Sequence, residues 1–541
     1  MKRQRDEDNH DERPTKLVRV AAVDRISQLS DELLLRIFSF TSVPTLLLSQ
    51  RVSKRFSRIA IDSELWKAAY YRRFVLPRAS RIPGIKDAGA SDQLLYSSKV
   101  SKWLDEESLV RRGTKTNWKQ QYRLRHNWSL GQCEVSEIVV AERPPEPPLL
   151  VILQHGMIFT ADSIGGLRVW DSKQEREFIA STPLVDVDTD TPKLPTSIAI
   201  DSQEGVHENK RVVMGFEDGS FTVFAVDKAA GEVNSLFNHP SSSNGTLSAV
   251  AYCSPYLLTM TEDQLLSLYA FEDDLVTSTL APPRLLYSLL SHTVWPPVSL
   301  SIRTNVASVT ASIAYALPTY LSGWTVGIQE MRLTHEGELL ESRLATAADQ
   351  SYRSIAGLNS MSSPSTRAPS PSPGVHGARE PRLASPSRGK PTSLSYSHPY
   401  LLVAHPDNTL TLYLVKSSSS ALSIGPGSRL WGHTSSVSGA HVGMRGKAVS
   451  VSRLGDELRV WDLEGGMASL AARKRATSGG ELSVRVQPAR SYADVGLRHA
   501  LEQGFDDTTV SQGWVGFDEQ NVIVLREKGE GSQALFVYDF T

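Results

Sequence analysis

Thirteen histidines and two cysteines are the side chains here best suited to metal or nucleophilic chemistry, and their spacing supports neither. Cys133 and Cys253 lie far apart, and neither belongs to a CxxC pair, so no disulfide framework can be built from them. The histidines form no ligand-spaced pairs, and His335-Glu336 in LTHEGELL is a lone pair that reads as a surface turn. HExxH, GxSxG, the P-loop and a GxGxxG on a strand-to-helix turn are all missing. The expectation is a binder that is not an enzyme in its own right: no catalytic residues, no metal and no cofactor.

Such a binder must be held by elements, and at 541 residues and 59.5 kDa the chain is too long for one ordinary core. Two or more units, or a repeat array, are implied. Hydrophobic content of 40% and charged content of 22% are those of a soluble globular protein. A net charge of −1 conceals a split: residues 51–125 carry 18 Lys and Arg against 7 Asp and Glu, a net +11 that leaves −12 for the remainder. The aromatics of that basic stretch sit at helical spacing, so a solvated helical face accounts for it at least as well as a nucleic-acid surface does. MKRQRDEDNH has no apolar signal core, and PPLLVILQHGMIF is too short and interrupted to span a bilayer. Cysteine usage suits a reducing compartment, which places the chain in nucleus or cytoplasm. KRQR at 2–5 with RPTKLVR at 13–19 has the form of a split import signal or of an ordinary charged tail.

The organising pattern is a pentapeptide. LRVWD occurs at Leu167 and again at Leu458, and looser copies start at Phe221 (FTVFA), Leu266 (LSLYA), Trp324 (WTVGI), Leu410 (LTLYL) and Leu535 (LFVYD). The fourth residue is aromatic in every copy except WTVGI, which has Gly327. Before each copy lies a second β-rich run and a turn: Asp218-Gly219, Asp407-Asn408 and Gly455-Asp456 read as hairpin tips. Further upstream are short apolar runs such as TSIAI at 196, TLSAVAY at 246 and TSLSY at 392. The unit is a small antiparallel sheet repeated seven times, with a two-sheet sandwich as the structural alternative.

This pattern resembles the WD-repeat β-propeller, most closely in LWGHTSSV followed by LRVWD, where the Gly432-His433 and Trp461-Asp462 pairs of that family appear. The resemblance implies a mainly β fold of seven blades, the apolar third position packing between sheets and the aromatic filling each blade's taper. The chain ends two residues after Asp539, so the last blade needs an outer strand from elsewhere. The β-branched CEVSEIVVA at 133–141 is expected to supply it, as an N-terminal strand does in such propellers, since an open edge would be a liability.

Ahead of it, LSDELLLRIFSFTSVPTLLLSQRVSKRFSRIAIDSELWKAAYYRRF is helical. Ser30 and Asp31 suit an N-cap and first turn; Leu33, Ile37 and Phe40 share one side, Leu34 and Phe38 another. More than half the circumference is apolar, wider than a small bundle needs for itself. The segment resembles an F-box on Leu29, Glu32-Leu33, Ile37-Phe38, VSKRF at 52–56 and Leu65-Trp66, with Ser30 where the family usually has proline. That resemblance implies docking on a Skp-type adaptor, and through it on a cullin-RING ubiquitin ligase. The adaptor-binding residues it implies are Leu29, Glu32, Leu33, Ile37, Val52, Lys54, Phe56, Leu65 and Trp66, with Arg55 beside Lys54 facing an acidic surface. The alternative is that these residues are merely the core of a small helical domain.

The expected organisation is a charged tail (1–24), an F-box (25–71), a helical linker (72–132) whose Trp118, Tyr122 and Trp128 wedge the F-box against the barrel, with Trp118 core rather than ligand, and a seven-bladed propeller (133–541). A Ser/Pro-rich insert at 351–391 should follow the outer strand of blade 4: 17 of its 41 residues are Ser or Pro. Ser363, Ser370, Ser372 and Ser385 precede prolines and are candidate phosphosites near Arg379, Arg382 and Arg388. A phosphate pocket of the kind some F-box propellers use is not carried over: Ser438 and Leu454 stand where arginines would be wanted, although Arg445, Arg453 and Arg459 are near. The resemblances together imply a substrate-recognition subunit of a Skp/cullin/F-box ligase whose propeller holds a protein target. A non-degradative WD-repeat scaffold is the competing reading, and neither membrane nor nucleic acid is an expected partner.

Overall fold

This computed structural model describes residues 25–26, 28–75 and 116–541, apart from 155, 173–176, 187–190, 204–209, 273–279, 320–322, 348–388, 419–420, 444–445, 454–456, 464–482, 489–513 and 528–530. The charged tail, most of the Ser/Pro-rich tract with its four candidate phosphosites, the Gly455-Asp456 turn, Leu454 and Arg445 lie outside those residues. The chain divides into two compact units, residues 1–123 and 124–541.

The first unit is helical because its sequence supplies stops and caps in quick succession. Helix α1 (Asp31–Ser39) carries Asp31 and Glu32 in its first turn and Arg36 in its last, charges that suit the helix dipole. Ser42 caps α2 (Val43–Ser49) by accepting from the Thr45 amide, with Pro44 in the first turn. Ser53 caps α3 (Lys54–Ala60) through the Phe56 amide at 3.1 Å, and Asp62 caps α4 (Ser63–Tyr70) through the Glu64 amide at 2.9 Å. The α4 helix continues as a π-helical turn, Tyr71–Val75. Leu34, Phe38, Leu46, Ile59, Leu65, Trp66 and Tyr70 form the core with Trp118 and Tyr122 of α5 (Trp118–Leu130). Trp66 also donates its indole N–H to the Ala60 carbonyl at 2.8 Å, so the ring's one polar group is satisfied inside that core.

The second unit is a ring of seven antiparallel sheets, which settles the sandwich alternative. Each copy of the pentapeptide falls on the third strand of a blade: Gly166–Asp171, Phe221–Asp227, Leu265–Ala270, Gly323–Leu333, Thr409–Ser417, Leu458–Asp462 and Gln533–Asp539. The third-position residues Val169, Val223, Leu268, Val326, Leu412, Val460 and Val537 are all buried. Side chains alternate along a strand, so an apolar residue at this fixed position always faces a neighbouring layer. The Asp218-Gly219 turn forms as read: Gly219 adopts φ +76°, and the Asp218 carboxylate accepts from the Ser220 amide at 2.9 Å.

Closure follows the expected route. Gln132–Ala141 lies antiparallel to Gln533–Asp539, pairing Glu134 with Asp539 and Ile138 with Leu535, and so becomes the outer strand of blade 7. Val140, Val151, Leu153 and Trp170 then pack with Ile523, Leu535 and Val537, sealing blade 1 against blade 7. A short parallel partner, Gln487–Pro488, extends that blade beyond the closing strand at Gln132 and Cys133. The Ser/Pro-rich tract lies in the connection from the outer strand of blade 4, Leu339–Thr346, to the inner strand of blade 5, Ser393–Ser397.

Candidate functional site

In the helical unit the apolar positions sort into two sets. Leu34 and Phe38 are buried, whereas Leu33 and Ile37, one residue earlier on the same helix, are 54% and 45% exposed. Val52, at 70%, is exposed in the turn before α3, and Glu32 and Lys54 are exposed as well. Leu29 and Phe56 are partly buried against the core, the Phe56 ring meeting Phe38 edge-on at 5.5 Å. Leu65 and Trp66 are only 5% and 2% exposed. The F-box resemblance implies docking by those two as well, but they face the unit's interior and hold α4 against its neighbours, in the same core as Leu34, Phe38 and Trp118.

Arg55 is also committed internally. Its guanidinium donates to the Asp31 carboxylate at 2.6 Å and to the Leu29 carbonyl at 2.5 Å, and Arg58 reaches Asp31 at 2.5 Å. The hydrogen bond from Arg55 is the main reason that Asp31 ionises below the usual carboxylate range. Arg55 therefore ties the start of α1 to α3, and of the adjacent pair only Lys54 presents its charge outward. Phe40, Leu47 and Leu48 are exposed too and were not among the candidate docking residues. Their signal was the width of the apolar surface on α1 and α2, which exceeds what the core consumes.

In the propeller, His433 and Trp461, one residue from each family-like pair of blade 6, meet in one buried network. Ser450 Oγ lies 2.6 Å from His433 Nε2 and accepts from the Trp461 indole at 2.8 Å. Glu457 accepts from the Thr434 amide at 2.8 Å and from Arg459 at 2.7 Å. Burial alone would raise the Glu457 pKa, but the Thr434 and Arg459 hydrogen bonds outweigh it and hold the carboxyl at about 2.

Three arginines that could grip a phosphate are occupied in the same way. Arg459 is buried between Glu457 and Ser483, Arg168 pairs with Asp162 and donates to the Val140 carbonyl at 2.6 Å, and Arg429 pairs with Asp407. Arg453 is exposed, and Ser438 donates to the Val451 carbonyl at 3.3 Å. His335 bridges the Tyr256 hydroxyl at 2.7 Å and the Val306 carbonyl at 3.1 Å, a fastening between blades 3 and 4. Among the described residues no group of His, Cys, Asp and Glu could hold a metal ion, and no helix is long and apolar enough to cross a membrane. Trp118 and Tyr122 belong to the core of the first unit; Trp128 belongs to the second, stacked on Phe540 at 4.1 Å.

A capped helical unit with surplus apolar surface, joined to a seven-bladed ring, defines an F-box protein of the substrate-receptor type. Residues 26–72 match the F-box-like family model. Residues 133–541 match the model described as F-box protein pof12 beta-propeller, and the chain belongs to that family. Both families are generally non-catalytic receptors or adaptors, and F-box domains generally bind Skp1-type adaptors. No curated protein matches the chain.

Solved structures similar to it include the WD40 β-propeller domain of Doa1 (11% identity, TM-score 0.34, 74% of this chain and 95% of that one). Sqt1 of Saccharomyces cerevisiae (9%, 0.37, 74% and 97%) and U3-55K (9%, 0.37, 73% and 99%) are similar in the same way.

Proposed function

We propose that this chain is the substrate-recognition subunit of a Skp/cullin/F-box ubiquitin ligase. The first unit docks on the adaptor, and the propeller holds a protein target for ubiquitin transfer. The observation that carries this reading is the division of α1 into a buried pair, Leu34 and Phe38, and an exposed pair, Leu33 and Ile37, on a unit that matches the F-box-like model. Exposed side chains of that size, gathered in a short segment, mark an interaction surface. The chain's own contribution is proximity: holding a target beside an activated ubiquitin raises the effective concentration of the reacting groups without any catalytic side chain here.

Capture of purified Skp-type adaptor by the full chain tests the docking half. Leu33→Asp with Ile37→Asp abolishes capture and leaves the thermal midpoint unchanged, because both side chains are exposed; undiminished capture refutes the assignment. Inhibition of the cullin tests the receptor half: proteins bound by the propeller accumulate if they are targets and keep their levels if the chain is a scaffold.

A further inference from the structure

One face of the ring carries the connections between blades and the turns between second and third strands. Across blades 2 to 4, backbone hydrogen bonds link its parts in sequence. The Glu217 amide donates to the Leu194 carbonyl at 3.0 Å, which joins the connection entering blade 2 to that blade's Glu217-Asp218 turn. The Ser242 amide donates to the Asp218 carbonyl at 3.1 Å, and the Glu262 amide to the Thr246 carbonyl at 2.9 Å, so the connection between blades 2 and 3 lies between two acidic turns. A Cβ added to Gly245 would meet the Asp263 carboxylate at 2.7 Å, which fixes how closely that connection approaches the second turn. Finally, the Ser291 amide donates to the Gln264 carbonyl at 3.0 Å, and the Val294 amide to the Gln264 side chain at 3.1 Å, which joins the arc to Trp295.

Along this arc Glu217, Asp218, Glu262 and Asp263 are all exposed. It is bounded by apolar side chains, Leu194 at 36% exposure on one end and Trp295 at 44% on the other. The nearby cation Lys193 donates to Ser220 and lies over the Phe216 ring. Elsewhere on the same face the opposite holds: Asp162, Asp407 and Glu457 are each bound to an arginine of their own blade. Glu217, Glu262 and Asp263 thus project their charge outward, whereas Arg168, Arg429 and Arg459 are each held by a carboxylate of their own blade.

We propose that this arc docks an extended, unphosphorylated segment of a protein partner, rich in lysine or arginine and carrying an apolar residue that packs on Trp295. Opposite charge supplies orientation and encounter rate, and the apolar anchor supplies the desolvated contact that holds the complex. The proposal rests on the receptor reading only in calling that partner a target.

The test is fluorescence anisotropy with the full chain and a labelled peptide of lysines and serines around a central leucine pair, beside the same peptide with glutamate for lysine. The lysine peptide binds and the glutamate peptide does not. Glu217→Lys with Glu262→Lys weakens binding by about tenfold, and the Gln pair weakens it less and flattens its salt dependence. Trp295→Ala also weakens it. Glu134→Lys with Glu232→Lys, exposed positions on outer strands of blades 7 and 2, adds the same charge away from the arc and leaves binding unchanged. Circular dichroism confirms that each variant is folded.

Equal binding of the acidic peptide, an equal loss in the outer-strand control, or no binding of the lysine peptide at low salt overturns the proposal. Tighter binding after excision of residues 351–388 would identify that basic segment as the occupant and overturn assignment to a partner. No adaptor takes part in this assay, so peptide binding without adaptor capture would remove the receptor reading and leave the arc.

Discussion

Leu33 and Leu34 are neighbours in sequence and opposite in role: one is exposed, the other has no solvent contact at all. A helix turns 100° per residue, so adjacent leucines cannot both face one core, and a run such as Leu33-Leu34-Leu35 must serve more than one surface. Glu457 shows the same economy in the propeller, where a single carboxylate ties Thr434, which follows His433, to the third strand of blade 6. Because its folded pKa is depressed to about 2 from an ordinary 4.5, its stabilisation is complete above about pH 4.5 and is lost as pH falls through about 2. Thermal midpoints of the wild type and Glu457→Gln should therefore differ at neutral pH and converge on acidification. A gap that stays constant down to about pH 3 would show that the ionised form contributes nothing.

At the scale of the element, blade 4 shows how a degenerate repeat still closes its sheet. WTVGI has Gly327 where the other copies have an aromatic, and Tyr315, its register partner on the second strand, fills the space: a Cβ on Gly327 would meet the Tyr315 ring at 2.8 Å. The aromatic has moved across the strand pair, a form of cross-strand rescue of glycine. Gly327→Ala should lower the thermal midpoint by displacing a ring that is 2% exposed, whereas an unchanged midpoint would mean that blade 4 is loosely packed.

Such details set the limit of what sequence discloses. The seven third strands and the Asp218-Gly219 turn were legible because strand period and turn chemistry are local. The assignment of Leu65 and Trp66 to the core was not, since an apolar helix face looks the same whether its own unit or a partner covers it. Nor was the loss of Arg55 to Asp31, a pairing 24 residues apart that only tertiary structure creates.

At the scale of the whole molecule, the propeller depends on a strand that precedes its first repeat. Removing residues 132–141 leaves Gln533–Asp539 as an unpaired edge and strips Val140 from the seal between blades 7 and 1. A chain so truncated should lose cooperative melting and associate with itself, and a synthetic peptide of residues 132–141 supplied in trans should restore the monomer. Unaltered melting of the truncated chain would mean that ring closure needs no such strand.

In the proposed function one chain couples adaptor docking to target binding. The most direct measurement is the turnover of propeller-bound proteins in cells that carry either the wild type or the Leu33→Asp, Ile37→Asp variant. Equal capture by both chains with slower turnover under the variant is the predicted result; equal capture with unchanged turnover would contradict it.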